Sequence, residues 1–277
     1  MPPGRPSRLV TTLVLALAAL TPTAANIVGA HAGTPRAEAR AAAVFLVPVH
    51  PHGFHAPASG PRPDPAKIAR RAAVLDRWTN TLVPVPHTLP AFAKPRAGSA
   101  QVGVVPGGSK YYGFPTVAWV EERSPDGRWG RVELPYVWPR REGWIRLAGL
   151  DVRTTRVRVE VDLSRHLVTV TKLGDVLFRG PGATGAPSSP TPVGDYFVTD
   201  RVAFSGGALG TFAFGISGIQ PRLPAGWSGG NQLAIHGTNQ PWSIGTSASA
   251  GCVRVSEAML AKLKPLLAYG TPVVIHP

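Results

Sequence analysis

Cysteine is almost absent from this sequence, because Cys252 is the only one in 277 residues. A single cysteine excludes an intramolecular disulfide and the paired cysteines of a zinc finger. No cysteine lies near the amino terminus, so a lipid on an amino-terminal cysteine is excluded as well. What remains is one free thiol, which in proteins is either a small buried hydrophobe or a reactive group.

Acidic residues are also scarce, with 15 Asp and Glu against 29 Lys and Arg and a formal net charge of +14. Such a basic chain suits an anionic partner. No zinc-finger spacing, aromatic RNA-binding signature or basic helix accompanies the charge, so the sequence predicts no nucleic-acid partner. We expect contact with anionic polymers of a cell envelope instead.

The apolar run near the amino terminus, Leu9–Leu20, is short of the roughly twenty residues that a bilayer span needs. Arg5 and Arg8 precede it and small residues follow, which is the pattern of a signal peptide over residues 1–32. The protein is therefore expected to be exported to the cell envelope or secreted, touching the membrane only transiently through this segment. An uncleaved anchor stays the alternative, because the cleavage site is not sharply defined.

Residues 33–97 are rich in Ala, Pro, Arg and His, a composition typical of a linker or spacer. A helical piece is predicted over Ala66–Thr79 from its apolar spacing. The histidines His50, His52 and His55 are not interpreted as a metal site, because neither cysteine nor an acidic ligand accompanies them.

Residues 98–153 change to short β-type runs, among them Val117–Val120, Arg131–Leu134 and Gly143–Leu147, separated by Pro- and Gly-containing turns. This pattern predicts a small β module, and it resembles bacterial SH3-like envelope modules. Four tryptophans either pack its core or form a glycan-binding face: Trp119, Trp129, Trp138 and Trp144.

Residues 154–277 begin with the period-two alternation of Arg156–Leu163, typical of a strand with one buried face. Further β-type runs follow, and Ser256 is suited to cap one short helix that ends before Pro265. The sequence therefore predicts a mainly β fold, a sandwich with one short helix.

The candidate chemistry lies in Ala234–Val255, where His236 precedes the single cysteine. A cysteine with a histidine is a candidate nucleophile and base, and the thiol pKa should be lowered by that base or by a positive field. Gly251 permits a sharp turn, and the N–H groups of Gly251 and Cys252 are predicted to hold an oxyanion. Arg254 is positioned to bind a carboxylate or a carbonyl oxygen.

No Asp or Glu lies in this block, so a hydroxyl or a backbone carbonyl should orient the imidazole. Ser249 and the carbonyl of Gly237 are the candidates. Thr238 and Asn239 are predicted to contact substrate together with Arg254.

The two-part motif His-Gly-Thr at 236–238 and Ser-x-Gly-Cys-Val-Arg at 249–254 resembles the L,D-transpeptidases with a YkuD-type catalytic domain. Thr184-Gly185, Thr191-Pro192 and Gly194 resemble a loop that precedes the active-site block in that family. The similarity covers roughly Val157–Ile275. Ala250 departs from the commonest form, in which His, Lys or Arg stands there.

This resemblance implies an L,D-transpeptidase-like β-sandwich that needs no metal or organic cofactor. It implies that Cys252 forms a thioester with a peptidoglycan tetrapeptide stem and releases D-alanine. An amine of a neighbouring stem then accepts the acyl group, which makes a 3→3 cross-link, and carbapenems are expected to acylate the thiol.

Two other classes of function stay open. An L,D-carboxypeptidase or cysteine hydrolase would use the same residues with water as the acceptor. A non-catalytic cell-wall-binding protein would use the basic amino-terminal half and its tryptophans.

Overall fold

The computed structural model describes residues 64–223 and 230–277. The predicted signal segment 1–32, the first part of the predicted spacer and the histidines His50, His52 and His55 lie outside the described residues. Within the described ranges, no helix has both the length and the apolar composition that a membrane span requires.

A helix, α1, spans Pro65–Trp78 and confirms the helix predicted in this part of the chain. It begins at Asp64, whose carboxylate accepts a hydrogen bond from the Ala66 N–H at 2.9 Å. Such a side chain satisfies one of the unpaired donors of the first turn, and a proline at the first helical position suits the same end. The helix ends at Thr79, which is extended.

An antiparallel sheet of seven strands follows, in the order β3-β2-β6-β5-β4-β1-β7. Its strands are β1 Asn80–Pro84, β2 Leu89–Phe92, β3 Gln101–Val105, β4 Val117–Arg123, β5 Trp129–Glu133, β6 Glu142–Arg146 and β7 Arg153–Thr155.

The sheet starts at Asn80, so β1 and β2 lie inside the stretch 33–97 that the composition predicted as a spacer. Prolines at 84 and 90 make this stretch look irregular, yet the consecutive residues Leu82 and Val83 are both buried in the core. The β module is therefore longer than predicted, and its likeness to SH3-like modules stays a prediction.

The tryptophans of this module do not share one exposed face. Trp119 is buried at 7% exposure, and the ring of Trp129 meets Phe92 edge-on with 5.8 Å between centroids. Trp138 is half exposed. Packing is thus the role of Trp119, in keeping with the alternative that the sequence left open.

Nine further strands form the second sheet, in the order β14-β10-β15-β13-β12-β11-β16-β8-β9, with an additional pairing of β10 and β9. That pairing closes eight of the strands into a barrel-like ring. The elements are β8 Val157–Asp162, β9 Leu167–Lys172, β10 Asp175–Gly185, β11 Gly194–Ala203, β12 Phe212–Ile219, β13 Gln232–His236, β14 Ser247–Ser249, β15 Val253–Val255, α2 Glu257–Leu263 and β16 Pro272–His276.

Helix α2 covers the core of this ring and confirms the predicted short helix. The hydroxyl of Ser256 accepts a hydrogen bond from the Met259 N–H at 3.2 Å, so Ser256 is the amino-terminal cap. Met259, Leu260 and Leu263 are buried among valines and aromatic residues of the strands. The mainly β fold class is confirmed.

The two sheets pack against each other. Phe197 of β11 is fully buried within the core of the amino-terminal sheet. The guanidinium of Arg140 contacts Glu121 of β4 at 2.8 Å and donates to the Asp195 carbonyl of β11 at 3.1 Å. The buried carboxylate of Glu133 accepts a hydrogen bond from the Ser217 hydroxyl of β12.

Candidate active site

Strands β13 and β15 bring the candidate nucleophile and base together. They pair in parallel, with Ile235 opposite Val253 and His236 opposite Arg254. Because alternate residues of a strand face the same side, Cys252 and Arg254 share a face with His236. The pairing of the two strands thus places residues that are sixteen positions apart in sequence on the same surface of the sheet.

That surface is the floor of a cavity of about 270 Å³. In the register of β12 and β13, Ala213 lies opposite His236 and Gly215 opposite Ala234. These small residues leave space above the sheet where larger side chains would fill it. Cys252, His236, Arg254, Asp200 and Gln232 line the cavity, together with Tyr111 and Tyr112 from the amino-terminal sheet.

A tight turn presents Cys252. Gly251 has φ +119°, in the region that favours glycine. The hydroxyl of Ser249 donates to the Cys252 carbonyl at 2.5 Å and accepts from the Gly251 N–H at 3.0 Å. A Cβ at Gly251 would collide with the side-chain nitrogen of Gln220. Glycine is therefore required both by the backbone angle and by the close approach of Gln220.

The loop that carries Thr191 braces this turn from outside. Its hydroxyl donates to the Gly251 carbonyl at 2.8 Å and accepts from the Gly185 N–H at 2.8 Å. Gln220 Nε2 donates to the carbonyls of Ser189 and Pro190 at 3.1 and 2.9 Å. The residues of the upstream motif thus hold the backbone next to the nucleophile in place through hydrogen bonds.

The thiol of Cys252 is half-buried and donates to the Gln232 carbonyl at 3.9 Å. Burial raises its pKa, while the Ala234 N–H and the charge of Arg254 oppose that shift. The expectation of a lowered thiol pKa is wrong for the resting site, because desolvation outweighs the local positive field. The sulfur rests as a thiol.

The imidazole of His236 is buried, with Nδ1 at 2.5 Å from the Gly237 carbonyl. A carbonyl accepts only, so Nδ1 carries the proton and Nε2 is the free acceptor. Burial lowers the pKa of His236 to about 4, helped by Arg254 and opposed by the Gly237 carbonyl. A neutral imidazole and a neutral thiol therefore line the same cavity.

Two expected roles need correction. Ser249 does not contact the imidazole, because its hydroxyl is used within the cysteine turn. The Gly251 N–H donates to that same hydroxyl and is not free for an oxyanion. Ser249 is only two and three residues from Gly251 and Cys252, so its hydroxyl bonds within the turn rather than to the imidazole. Of the two predicted oxyanion donors, the N–H of Cys252 remains as a proposal.

Arg254 faces the cavity, as the two-residue spacing from Cys252 predicts. Its Nη1 donates to Gln240 Oε1 at 2.7 Å and to the Ser243 hydroxyl at 3.3 Å. Its Nε is buried and without a hydrogen-bond partner among the described residues. The guanidinium is thus held in place with a donor to spare.

Thr238 and Asn239 do not line this cavity within the part of the chain that the structure describes. The Thr238 hydroxyl accepts from the Gln240 N–H at 2.9 Å, and Asn239 is exposed. These residues shape the loop after β13, and substrate contact by them stays a prediction.

Sequence reasoning missed Asp200 and Gln232. Asp200 is fully buried, and its Oδ2 accepts from Thr199 at 2.8 Å and Gln232 Nε2 at 2.6 Å. The carbonyl of the same Gln232 meets the thiol, so this network fixes the strand beside Cys252. No motif marks these residues, although their even spacing with Val202 and Ala234 would place them on the shared face. Across residues 64–223 and 230–277, no group of three His, Cys, Asp or Glu is placed to hold a metal.

Comparison with known proteins gives a consistent result. Residues 156–275 match the family model YkuD, an L,D-transpeptidase catalytic domain. The chain is 27% identical over 126 residues to a putative L,D-transpeptidase YkuD of Bacillus subtilis, covering 46% of this chain and 70% of that protein.

Two solved structures are also similar. A mutant L,D-transpeptidase of Enterococcus faecium is 23% identical, with a TM-score of 0.35, over 43% of this chain and 49% of that one. The chain thus spans about half of that enzyme's length. An L,D-transpeptidase in complex with imipenem is 22% identical, with a TM-score of 0.39, over 75% of this chain and 85% of that one.

Proposed function

Residues 156–275 form an L,D-transpeptidase catalytic domain of the YkuD family, and from this premise we propose that the protein is a cysteine acyltransferase acting on peptidoglycan stem peptides. The donor is a tetrapeptide stem and the acceptor an amine of a second stem, so the product is a 3→3 cross-link. Because its substrate is the cell wall, the protein acts after export, in the cell envelope.

One observation carries this proposal. His236 ends β13, Cys252 directly precedes the paired strand β15, and both residues line the same cavity. The nucleophile thus shares its cavity with a neutral imidazole whose Nε2 can accept a proton, and nucleophilic catalysis uses such a base.

Acylation proceeds as follows. His236 Nε2 takes the thiol proton while Cys252 Sγ attacks the carbonyl carbon that precedes the terminal D-alanine. The N–H of Cys252 stabilises the oxyanion. The bond from that carbon to nitrogen then breaks, His236 gives its proton to the leaving amine, and a thioester remains.

Transfer reverses the proton movements. The acceptor amine attacks the thioester carbon and gives a proton to His236, and the sulfur leaves and takes that proton back. Arg254 lines the cavity and holds a carboxylate of the stem through its guanidinium, which fixes the donor above the sulfur. The low pKa of His236 keeps the imidazole able to accept protons at neutral pH.

The test is the intact mass of the exported protein after incubation with a disaccharide-tetrapeptide and, separately, with a carbapenem. We expect a covalent adduct from each, and cross-linked stems from the tetrapeptide, in the wild type and in Ser247→Ala. That serine is exposed on β14. Cys252→Ala should form neither adduct nor product.

Each alternative has its own result. Release of D-alanine without cross-linked product would identify a carboxypeptidase. An adduct that survives in Cys252→Ala, or no adduct in the wild type, would overturn the acyltransferase and favour a wall-binding protein.

A further inference from the structure

One wall of the catalytic cavity comes from the amino-terminal sheet. Tyr111 and Tyr112 stand in the loop between β3 and β4, and both line the cavity that holds Cys252. They remain 42% and 49% exposed. Large aromatic side chains left in solvent beside a cavity are typical of a binding surface.

The loop that carries these rings is held closed by its own hydrogen bonds. The Ser109 N–H donates to the Phe114 carbonyl at 2.8 Å, and the Gly113 N–H donates to the Ser109 carbonyl at 3.0 Å. The hydroxyl of Ser109, a buried residue, accepts from the Phe114 N–H at 3.1 Å. The two rings therefore project from a preformed turn.

Tyr111 is also hydrogen-bonded to a residue just before β13 in the second sheet. Its hydroxyl donates to Asn231 Oδ1 at 2.9 Å and accepts from the Asn231 N–H at 3.4 Å, although the residues are 120 positions apart. Asn231 directly precedes β13, the strand of His236. The ammonium of Lys110 lies 5.1 Å from the centre of the Tyr111 ring.

Tyr112 is fixed by stacking. Its ring lies on Phe114 with 5.8 Å between centroids and 17° between planes. Phe114 in turn contacts Tyr269 after helix α2, at 6.0 Å. One face of Tyr112 is thus covered by Phe114, and the residue, still half exposed, lines the cavity.

We propose that Tyr111 and Tyr112 form a saccharide subsite that binds the sugar carrying the stem peptide. The inference rests on the proposed function. The cavity of about 270 Å³ is below the roughly 300–1,000 Å³ of pockets that enclose a drug-sized ligand. It holds the reacting residues, and the rest of the substrate lies at its mouth, where the rings are.

The chemistry of the mouth favours a sugar over more peptide. A pyranose has an apolar C–H face that packs flat on an aromatic ring, and its hydroxyls bond to polar groups beside that ring. The Lys110 ammonium, which lies over one face of the Tyr111 ring, is such a donor, and the bond to Asn231 fixes the ring in place. An extended stem peptide has no flat rigid face of that kind.

The experiment compares two donors, a disaccharide-tetrapeptide and the same tetrapeptide without sugar. The rate constant of Cys252 acylation is measured for each by intact mass, in the wild type and in Tyr111→Ala, Tyr112→Ala and Trp138→Ala. Trp138 is the matched control, since it is half exposed in the loop between β5 and β6 and is not among the residues that line the cavity.

We expect the wild type and Trp138→Ala to prefer the disaccharide donor about tenfold, and each tyrosine variant to lose most of that preference. Tyr111→Phe keeps the ring and should keep most of the preference. If an alanine variant fails to fold, Tyr111→Leu and Tyr112→Leu remove the aromatic face at similar volume and test the same ratio.

Other results overturn the subsite. An unchanged ratio in every variant would show that the rings are inert, and an equal loss with both donors would show that they contact the peptide. A loss in Tyr111→Phe as large as in Tyr111→Ala would assign the effect to the bond with Asn231. No acylation of the wild type by either donor would instead reject the proposed function itself, and the subsite with it.

Discussion

The two sheets bury ionisable groups for different purposes. In the amino-terminal sheet, Arg140 contacts the carboxyl groups of Glu121, Glu133 and Glu142 near the boundary with the second sheet. In the catalytic ring, Cys252 and His236 are buried as a neutral pair beside a cavity. Burial opposes charge in both places, and the reactive pair lines a cavity that a substrate can enter.

This difference shows what a buried polar group can do. The Arg140 group joins two surfaces, because its guanidinium bonds to Glu121 in one sheet and to the Asp195 carbonyl in the other. A neutral pair beside small residues keeps its proton available for transfer to a substrate. Substitutions should therefore have the largest effect in the reactive pair, a smaller effect in the backbone that presents it, and the smallest effect in the Arg140 group.

The largest effect is expected from His236→Ala. Loss of a general base costs about 10²–10⁴-fold in rate, so acylation by a tetrapeptide should fall by that much while Cys252 is still present. The measurement is the rate constant of adduct formation by mass spectrometry.

The pH profile of the wild type is the control for this interpretation. Because burial lowers the pKa of His236 to about 4, acylation should stay level down to weakly acidic pH and fall with a midpoint near that value. A midpoint near the usual histidine pKa of about 6.5 would contradict the buried neutral imidazole.

A smaller loss is expected from Gly251→Ala. The new Cβ collides with Gln220 Nε2, and the backbone angle is strained as well. We expect acylation about 10- to 100-fold slower, from displacement of the thiol.

Gly245→Ala is the matched control, because Gly245 also has a left-handed φ, +89°, but nothing lies within 4 Å of its Cβ position. It should cost about 1 kcal/mol of unfolding free energy and leave acylation within about twofold. Equal losses in both variants would show that backbone strain, rather than the contact with Gln220, controls the nucleophile.

The smallest effect is expected in the amino-terminal sheet, from Glu121→Gln. Burial raises the pKa of Glu121 to about 7. A raised folded-state pKa gives stability that is complete below the unfolded value and is lost as pH rises through the folded value. The wild type should therefore lose stability from this group between about pH 4.5 and pH 7.

Glutamine cannot ionise, so Glu121→Gln should lack this loss and gain about 1–3 kcal/mol relative to the wild type between about pH 5 and pH 8. Urea unfolding at both pH values measures the change. A constant difference between the two proteins would mean that Arg140 keeps Glu121 ionised throughout.

Part of this molecule could be predicted from sequence because local patterns determine it. The alternation in 156–163 predicts a strand, and Ser256 before an apolar spacing predicts a capped helix. The motif that contains His236 and Cys252 predicts a nucleophile and its base. That both residues lie on the same surface follows from the parallel pairing of β13 and β15, which local sequence patterns do not predict.

What could not be predicted depends on contacts between distant parts of the chain. Tyr111 reaches the cavity only through the packing of one sheet on another. Prolines hide strands β1 and β2 in a stretch whose composition suggests a linker. The state of the thiol depends on burial, and residue types alone do not reveal how much solvent surrounds a sulfur atom.

The position of Phe197 limits how this protein can be divided or recombined. The ring belongs to a strand of the catalytic domain but fills the core of the other sheet, where it is fully buried. A gene fragment that encodes residues 154–277 alone would leave this ring in water. The two sheets of this chain therefore have to be kept together whenever its gene is truncated or recombined.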